Sequence, residues 1–235
     1  MSWFKRSGSS SAPTVDLEAR RAERAALVSA IAHRMALERP FGLPALSDRV
    51  AGALRAIPRE LFTPPGVAAR AYRDEVLPLA AGQTLSQPSL VALMTELLRI
   101  QPGDRVLEIG VGSGYQTALL AHLGATVFGL EVIADLARAA AGRLATLGIR
   151  TVTVRVGDGH AGWPEAAPFD AILAACAAAT VPPALVAHLR PGGRLLLPVG
   201  PPDGPQQLCL VEKGTDGTVR ERRLLAVAFV PMVGS

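Results

Sequence analysis

Arg105-Val106-Leu107-Glu108-Ile109-Gly110-Val111-Gly112-Ser113-Gly114-Tyr115 is the stretch on which the reading of the fold turns. Its first half is a short apolar run closed by an acidic residue, the pattern of a buried strand. Its second half is a glycine turn, and a helix is expected to follow over 114–123. Glycines spaced G-x-G-x-G allow the backbone to approach a ligand and leave helix N–H groups pointing at it. The dinucleotide fingerprint is G-x-G-x-x-G, with its third glycine serving close helix–strand packing. That later position here is the bulky Tyr115. The spacing therefore favours a nucleoside ligand other than a nicotinamide dinucleotide.

Downstream of this turn, apolar segments alternate with helical ones. Strands are expected at 104–109, 125–130, 151–156, 169–174 and 193–198, with helices at 133–147 and 182–189. Such alternation implies a mostly parallel sheet covered on both faces. Beyond Gly200 the pattern changes to two strand-like runs, 206–213 and 220–230. Gly214-Thr215-Asp216-Gly217 between them is a hairpin signal. Upstream, 1–15 is rich in Ser, Pro and Gly and is expected to be a disordered tail. Helical periodicity covers 16–37 and 46–56, and 62–85 reads as an extended arm. Pro88 suits the first turn of a helix running to Ile100, capped by Ser86 or Gln87. The expected organisation is a tail over 1–15, a helical extension with an active-site loop over 16–100, and a ligand-binding core over 101–235.

Composition narrows the function. The chain has 235 residues, enough for one α/β domain with an extension and short for two. Hydrophobic residues make up 49% and charged residues 19%, as in a globular body. No apolar run reaches the roughly 18–20 residues of a membrane span. The N-terminus lacks a secretory apolar region, so no membrane association and a cytoplasmic location are expected. Net charge is +4 with aromatic residues at only 4%, and no dense Lys/Arg stripe is present, so no specific nucleic-acid partner is expected. Cys176 and Cys209 lack metal-ligand spacing and read as small buried thiols, and no metal is expected. The histidines show no matched acid in sequence, and Trp163 reads as packing beneath a loop.

Ligands of an open α/β sheet sit at the carboxyl ends of its strands. Strand one ends in Glu108 and the turn of Gly110, Gly112 and Gly114. Strand two ends in Glu131, about 20 residues past the glycines, where an acid can accept bonds from both ribose hydroxyls. Strand three ends in Gly157-Asp158-Gly159, where a carboxylate can take an adenine amino proton and a glycine leaves room for the ring. Each signal alone is also that of a helix cap or turn. In this order and spacing the three imply an S-adenosyl-L-methionine pocket.

Strand four continues into Ala175-Cys176-Ala177-Ala178-Ala179, which offers neither an N-P-P-Y-like run nor a Pro-Cys nucleophile. A site without acid, base or nucleophile suits an acceptor that is already ionised, such as a carboxylate with a pKa of about 4.

Gly82-Gln83-Thr84-Leu85-Ser86-Gln87-Pro88 then brings in a resemblance. With Ile57-Pro58-Arg59-Glu60, Ala71-Tyr72, Leu77-Pro78, Gly157-Asp158-Gly159, Arg190-Pro191-Gly192-Gly193, Leu197-Pro198-Val199-Gly200 and Phe229-Val230-Pro231, it makes the chain resemble the protein-L-isoaspartate O-methyltransferases from about 46 to 233. The resemblance implies a Rossmann-like methyltransferase fold. It also implies methylation of the α-carboxylate of L-isoaspartyl residues in aged proteins or peptides, the ester then closing to a succinimide. By the family pattern Ser86 is the active-site hydroxyl and Thr84 lies beside it. Gly110, Glu131, Asp158 and Gly159 hold the cofactor, and the chain is expected to be a monomer. Ala80 stands near a position where the family shows glycine, and Cys176 interrupts the family's alanine run. A carboxyl methyltransferase with one dedicated peptide or small-molecule acceptor would share this core, and at this level both readings stand.

Overall fold

The computed structural model describes residues 20–201 and 203–234. The expected tail over 1–15, and the first residues of the helix expected at 16–37, lie outside the described residues. Helix α1 runs Arg21–Glu38 and buries Val28, Ile31 and Met35, an i, i+3, i+7 stripe. It stops at Arg39, in left-handed conformation just ahead of Pro40. Helix α2, Asp48–Ala56, is capped by the Ser47 hydroxyl, which accepts from Val50 N at 3.3 Å. Pro58 ends it, because the residue before a proline is driven out of helical geometry.

The arm over 62–85 is less extended than its prolines suggest. Short 3₁₀ turns at Arg59–Phe62, Pro65–Arg70 and Ala80–Gly82 shape it. Two short strands, β1 (Leu77–Pro78) and β2 (Thr84–Leu85), pair antiparallel. Leu79 N donates to Gln83 O at 2.8 Å and closes this hairpin. Helix α3, Pro88–Leu98, follows directly and buries Val91, Leu93, Met94, Leu97 and Leu98, each contributing about 1.5–3 kcal/mol.

The core sheet has seven strands in the order β5-β4-β3-β6-β7-β8-β9. They span Arg105–Ile109 (β3), Thr126–Glu131 (β4), Val152–Val156 (β5), Phe169–Ala174 (β6), Leu189–Val199 (β7), Gln206–Lys213 (β8) and Val219–Val227 (β9). The first five in that order from β5 to β7 are parallel, and β8 and β9 are antiparallel additions. Helices α4 (Tyr115–His122), α5 (Ala134–Thr146) and α6 (Pro183–His188) connect them. This is the doubly wound, mostly parallel architecture with a C-terminal antiparallel hairpin that the sequence implies. β7 begins four residues earlier than the glycine-rich 190–193 segment suggests. Its pairing with β6 shifts register between Phe169 and Ala171, so Pro191 sits where a missing N–H breaks no ladder bond.

Alternate residues of each strand enter two cores. Val106, Val127, Leu173 and Leu196 join one that includes α1–α4. Leu107, Leu130, Ile172 and Leu195 join the other, with Leu185 of α6, Trp163 and Phe169. Trp163 packs edge-on to Phe128, ring centroids 5.6 Å apart, in the structural role expected of it. α1 packs on α2, α2 on α3 and α4, and α3 on β6 and β7. The helical extension thus shares a core with the sheet and carries its loop to the sheet's carboxyl edge.

Candidate active site

The chain reverses direction between β3 and β6, and a cavity of about 280 Å³ lies at the carboxyl ends of the strands there. Gly110 N and Val111 N both donate to Leu130 O, at 2.8 and 3.3 Å, tying the glycine turn to the end of β4. Gly110, Gly112 and Gly114 all have positive φ, which any side chain would strain. They divide the turn's tasks. Gly110 and Gly112 line the cavity. Gly114 does not; a Cβ there would lie 3.4 Å from Ala140 and 3.5 Å from Leu144 of α5. The packing role that the dinucleotide motif gives to its third glycine falls to Gly114.

Glu131 is almost fully buried and lines the cavity. Its two carboxylate oxygens accept from Gly112 N at 2.8 Å and from Ile133 N at 3.0 Å, so the turn itself fixes its orientation. Glu108, in the middle of the sheet beside Gly129 and Leu173, also lines the cavity and is completely buried. Neither of its oxygens has a hydrogen-bond partner among the described residues, nor does the hydroxyl of Thr117. Burial pushes the Glu108 carboxyl up to about 8; the nearby Thr117 hydroxyl draws it down and the Glu131 charge raises it further.

Thr84 and Ser86 line the same cavity from the β1–β2 hairpin and the start of α3. Gln87, not Ser86, holds the N-cap position of α3, and its side chain reaches Ser89 Oγ at 3.0 Å instead of a helix N–H. The cap at the helix start comes from outside: Asp74 Oδ1 accepts from Ser89 N at 2.8 Å while Oδ2 pairs with Arg34 at 2.6 Å. Among the described residues the Thr84 and Ser86 hydroxyls have no partner. Ala81, within the hairpin loop, is held at φ 56°. The departure from glycine at Ala80 therefore sits next to left-handed backbone at a residue that disfavours it.

At the third strand end the cavity takes the two glycines on either side of Asp158. Gly157 and Gly159 line the cavity, and Asp158 does not. The Asp158 carboxylate accepts from His160 N at 2.8 Å and meets the His160 ring at 3.0 Å, and the His160 N–H holds its pKa below the usual carboxylate range. His160 thus has the acidic partner that sequence alone did not reveal, through a turn two residues long. Gly159 is required by space: a Cβ would lie 2.3 Å from Ile109 and 3.2 Å from Met232 Sδ.

Cys176 and the C-terminal segment complete the walls. Cys176 is buried in the lining, and burial pushes its thiol up to about 12, which leaves it un-ionised. Met232 N donates to Ala177 O and Ala177 N to Val230 O, at 2.7 and 2.8 Å. These bonds lay residues 229–233 against the cavity. In sequence, Phe229-Val230-Pro231 is only a mark of resemblance, because a contact with Ala177 across some fifty residues leaves no local signal. Among the described residues the lining holds no lysine, arginine or histidine. No helix among them is long and apolar enough to cross a membrane.

The profile of the protein-L-isoaspartate(D-aspartate) O-methyltransferase family matches residues 41–235. A Polaromonas sp. protein named protein-L-isoaspartate O-methyltransferase 2 is 51% identical over 193 residues, covering 82% of this chain and 92% of that one. Its Methylorubrum extorquens counterpart is 54% identical over 184 residues, covering 78% and 80%. A solved protein-L-isoaspartate O-methyltransferase superposes with TM-score 0.78 at 29% identity, over 90% of this chain and 66% of that one. A Plasmodium falciparum structure of that description, in complex with S-adenosyl-L-homocysteine, shares the fold at TM-score 0.75 and 24% identity, over 89% and 98%.

Proposed function

This chain belongs to the protein-L-isoaspartate(D-aspartate) O-methyltransferase family, and on that premise we propose that it methylates the free α-carboxylate of L-isoaspartyl residues, using S-adenosyl-L-methionine. One observation carries the reading. Two carboxyl groups, Glu108 and Glu131, share a single cavity with two hydroxyls, Thr84 and Ser86, that have no partner among the described residues.

The cofactor fits what the cavity lacks. Glu108 is a buried carboxyl with only the Thr117 hydroxyl near it and no ion-pair partner among the described residues, and S-adenosyl-L-methionine offers an ammonium and a sulfonium where a nucleotide would bring phosphates. A cationic ligand can draw off the Glu108 proton and pair with the carboxylate it leaves, whereas phosphates would meet no lining cation among the described residues. Glu131, oriented by Gly112 and Ile133, keeps lone pairs free for a ribose diol. Gly110, Gly112 and Gly159 leave the close approach that a nucleoside needs. Gly114 serves by shaping the turn, and Asp158, whose Oδ1 is held by His160, presents its other oxygen for the adenine amino group.

When bound, this cofactor supplies a methyl group on a sulfonium, open to in-line attack by a carboxylate oxygen. Such an acceptor, with a pKa of about 4, needs no base. A Ser86 hydroxyl donates one hydrogen bond to it without neutralising it, as a lysine would. Val91, Met94 and Tyr115 line the cavity with apolar surface and exclude water. Catalysis on these terms is mainly positioning, worth roughly 7–11 kcal/mol at best. With methyl-labelled cofactor and an isoaspartyl peptide, the label should appear as a base-labile ester that releases methanol. Base-stable label, as from nitrogen methylation, would contradict the reading.

A further inference from the structure

Arg59 is among the most deeply buried large side chains of the protein, at 1% exposure, yet it does not line the cavity. It stands behind two of the cavity's walls at once. Its Nη2 donates to the Ser86 carbonyl at 2.8 Å. Its guanidinium carbon lies 5.0 Å from the ring centroid of Tyr115, the residue that opens α4 directly after the glycine turn. Its Nε and Nη1 have no partner among the described residues. Tyr115, Asp74 and Tyr72 act favourably on its charge, and burial acts against it more strongly.

Packing does not call for an arginine here. A buried cation with unanswered donors is a burden on stability, and an apolar chain of similar length fills the same space. What only arginine offers is a planar fork that donates to a carbonyl along its edge while it stacks on a ring with its face. We infer that Arg59 is a positioning residue for methyl transfer, joining the Ser86 loop to the glycine turn through Tyr115. The inference rests on the reading of Ser86 as the hydroxyl that orients the acceptor. Asp74, bound to Ser89 N, anchors the segment from inside the helix, and the pairing of Leu85 with Leu77 anchors it from the hairpin, so Arg59 holds the Ser86 carbonyl between those two anchors.

The test compares Arg59→Met, which keeps the apolar stem, with Arg59→Lys, which keeps the charge. Arg59→Met should melt within about 3 °C of the native chain or above it, since no stabilising ion pair is broken. Amide exchange across residues 84–90 should quicken by about tenfold or more as the loop loses its tether. With an isoaspartyl peptide, kcat should fall by at least about tenfold while the KM for cofactor changes less than about twofold. Arg59→Lys should recover part of kcat. In a Ser86→Ala background, Arg59→Met should cost less than about twofold more, because the group being positioned is gone. Equal losses in both backgrounds, unchanged exchange over 84–90, or a chain that no longer folds with methionine would each overturn the inference. Exchange is read without substrate, so it tests the tether even if the native chain fails on the peptide, a failure that would count against the proposed function instead.

Discussion

Glu108, one residue inside the end of β3, and Glu131, at the end of β4, play different parts. Glu131 is oriented by two backbone N–H groups, whereas Glu108 is buried with none. An acid raised on folding from 4.5 to about 8 keeps its proton in the folded chain while the unfolded chain releases it. Folding therefore takes up a proton between those values, and ligand-free stability falls as pH rises through that window, by a few kcal/mol at most. Glu108→Gln removes this linkage. Its melting temperature should match the native chain at about pH 5 and exceed it by several degrees at about pH 9, and its cofactor affinity should drop about tenfold or more. Thermal melts across pH and cofactor titration check both. Ser86→Ala should lower methyl transfer at least about tenfold with near-normal cofactor affinity, because only one acceptor contact is removed; a collapse of cofactor affinity would show that Ser86 serves the other half of the cavity. Glu108 was legible because a strand end leaves a fixed sequence mark, whereas Ser86 stood out only through the resemblance, since its spacing before Pro88 suits a helix cap equally well. The Asp158–His160 pairing was not, since it depends on how one turn folds back on itself.

Elements were legible where their period was strong. The β3–glycine turn–α4 unit and the β8–β9 hairpin formed as their patterns predict, the latter closed by Gly214 N donating to Thr218 O at 2.7 Å. The β1–β2 hairpin was hidden by prolines and by strands of two residues, too short for any alternation to register. β7 looks shorter in sequence than it is, because Pro191 and its glycines resemble a turn, and only the register shift against β6 explains them. The turn after β5 offers a test. Gly159→Ala presses a methyl group into Ile109 and Met232, where neither β3 nor the C-terminal segment has room. The substitution should destabilise the protein by about 1–3 kcal/mol and weaken cofactor binding. Denaturant melts and calorimetric titration measure the two effects, and an alanine variant that binds normally would show that Ile109 and Met232 both give way.

Across the whole molecule, two halves of the chain meet at one cavity. The sheet brings Glu108, Gly110, Gly112, Glu131 and Gly159 to its carboxyl edge, and the helical extension brings Thr84 and Ser86. The sheet's contribution follows from strand order and could be read ahead of the structure. Closure by residues 229–233 could not, because it rests on pairing with Ala177 far away in sequence. On the proposed reading the duties divide with them: the sheet would hold the methyl donor, and the extension, through Thr84 and Ser86, would orient the acceptor. Initial rates on two peptides that differ only in one linkage, L-isoaspartyl against L-aspartyl, test this most directly. The isoaspartyl peptide should be methylated and its twin left essentially unlabelled; equal labelling of the two, or none of either, would contradict the account.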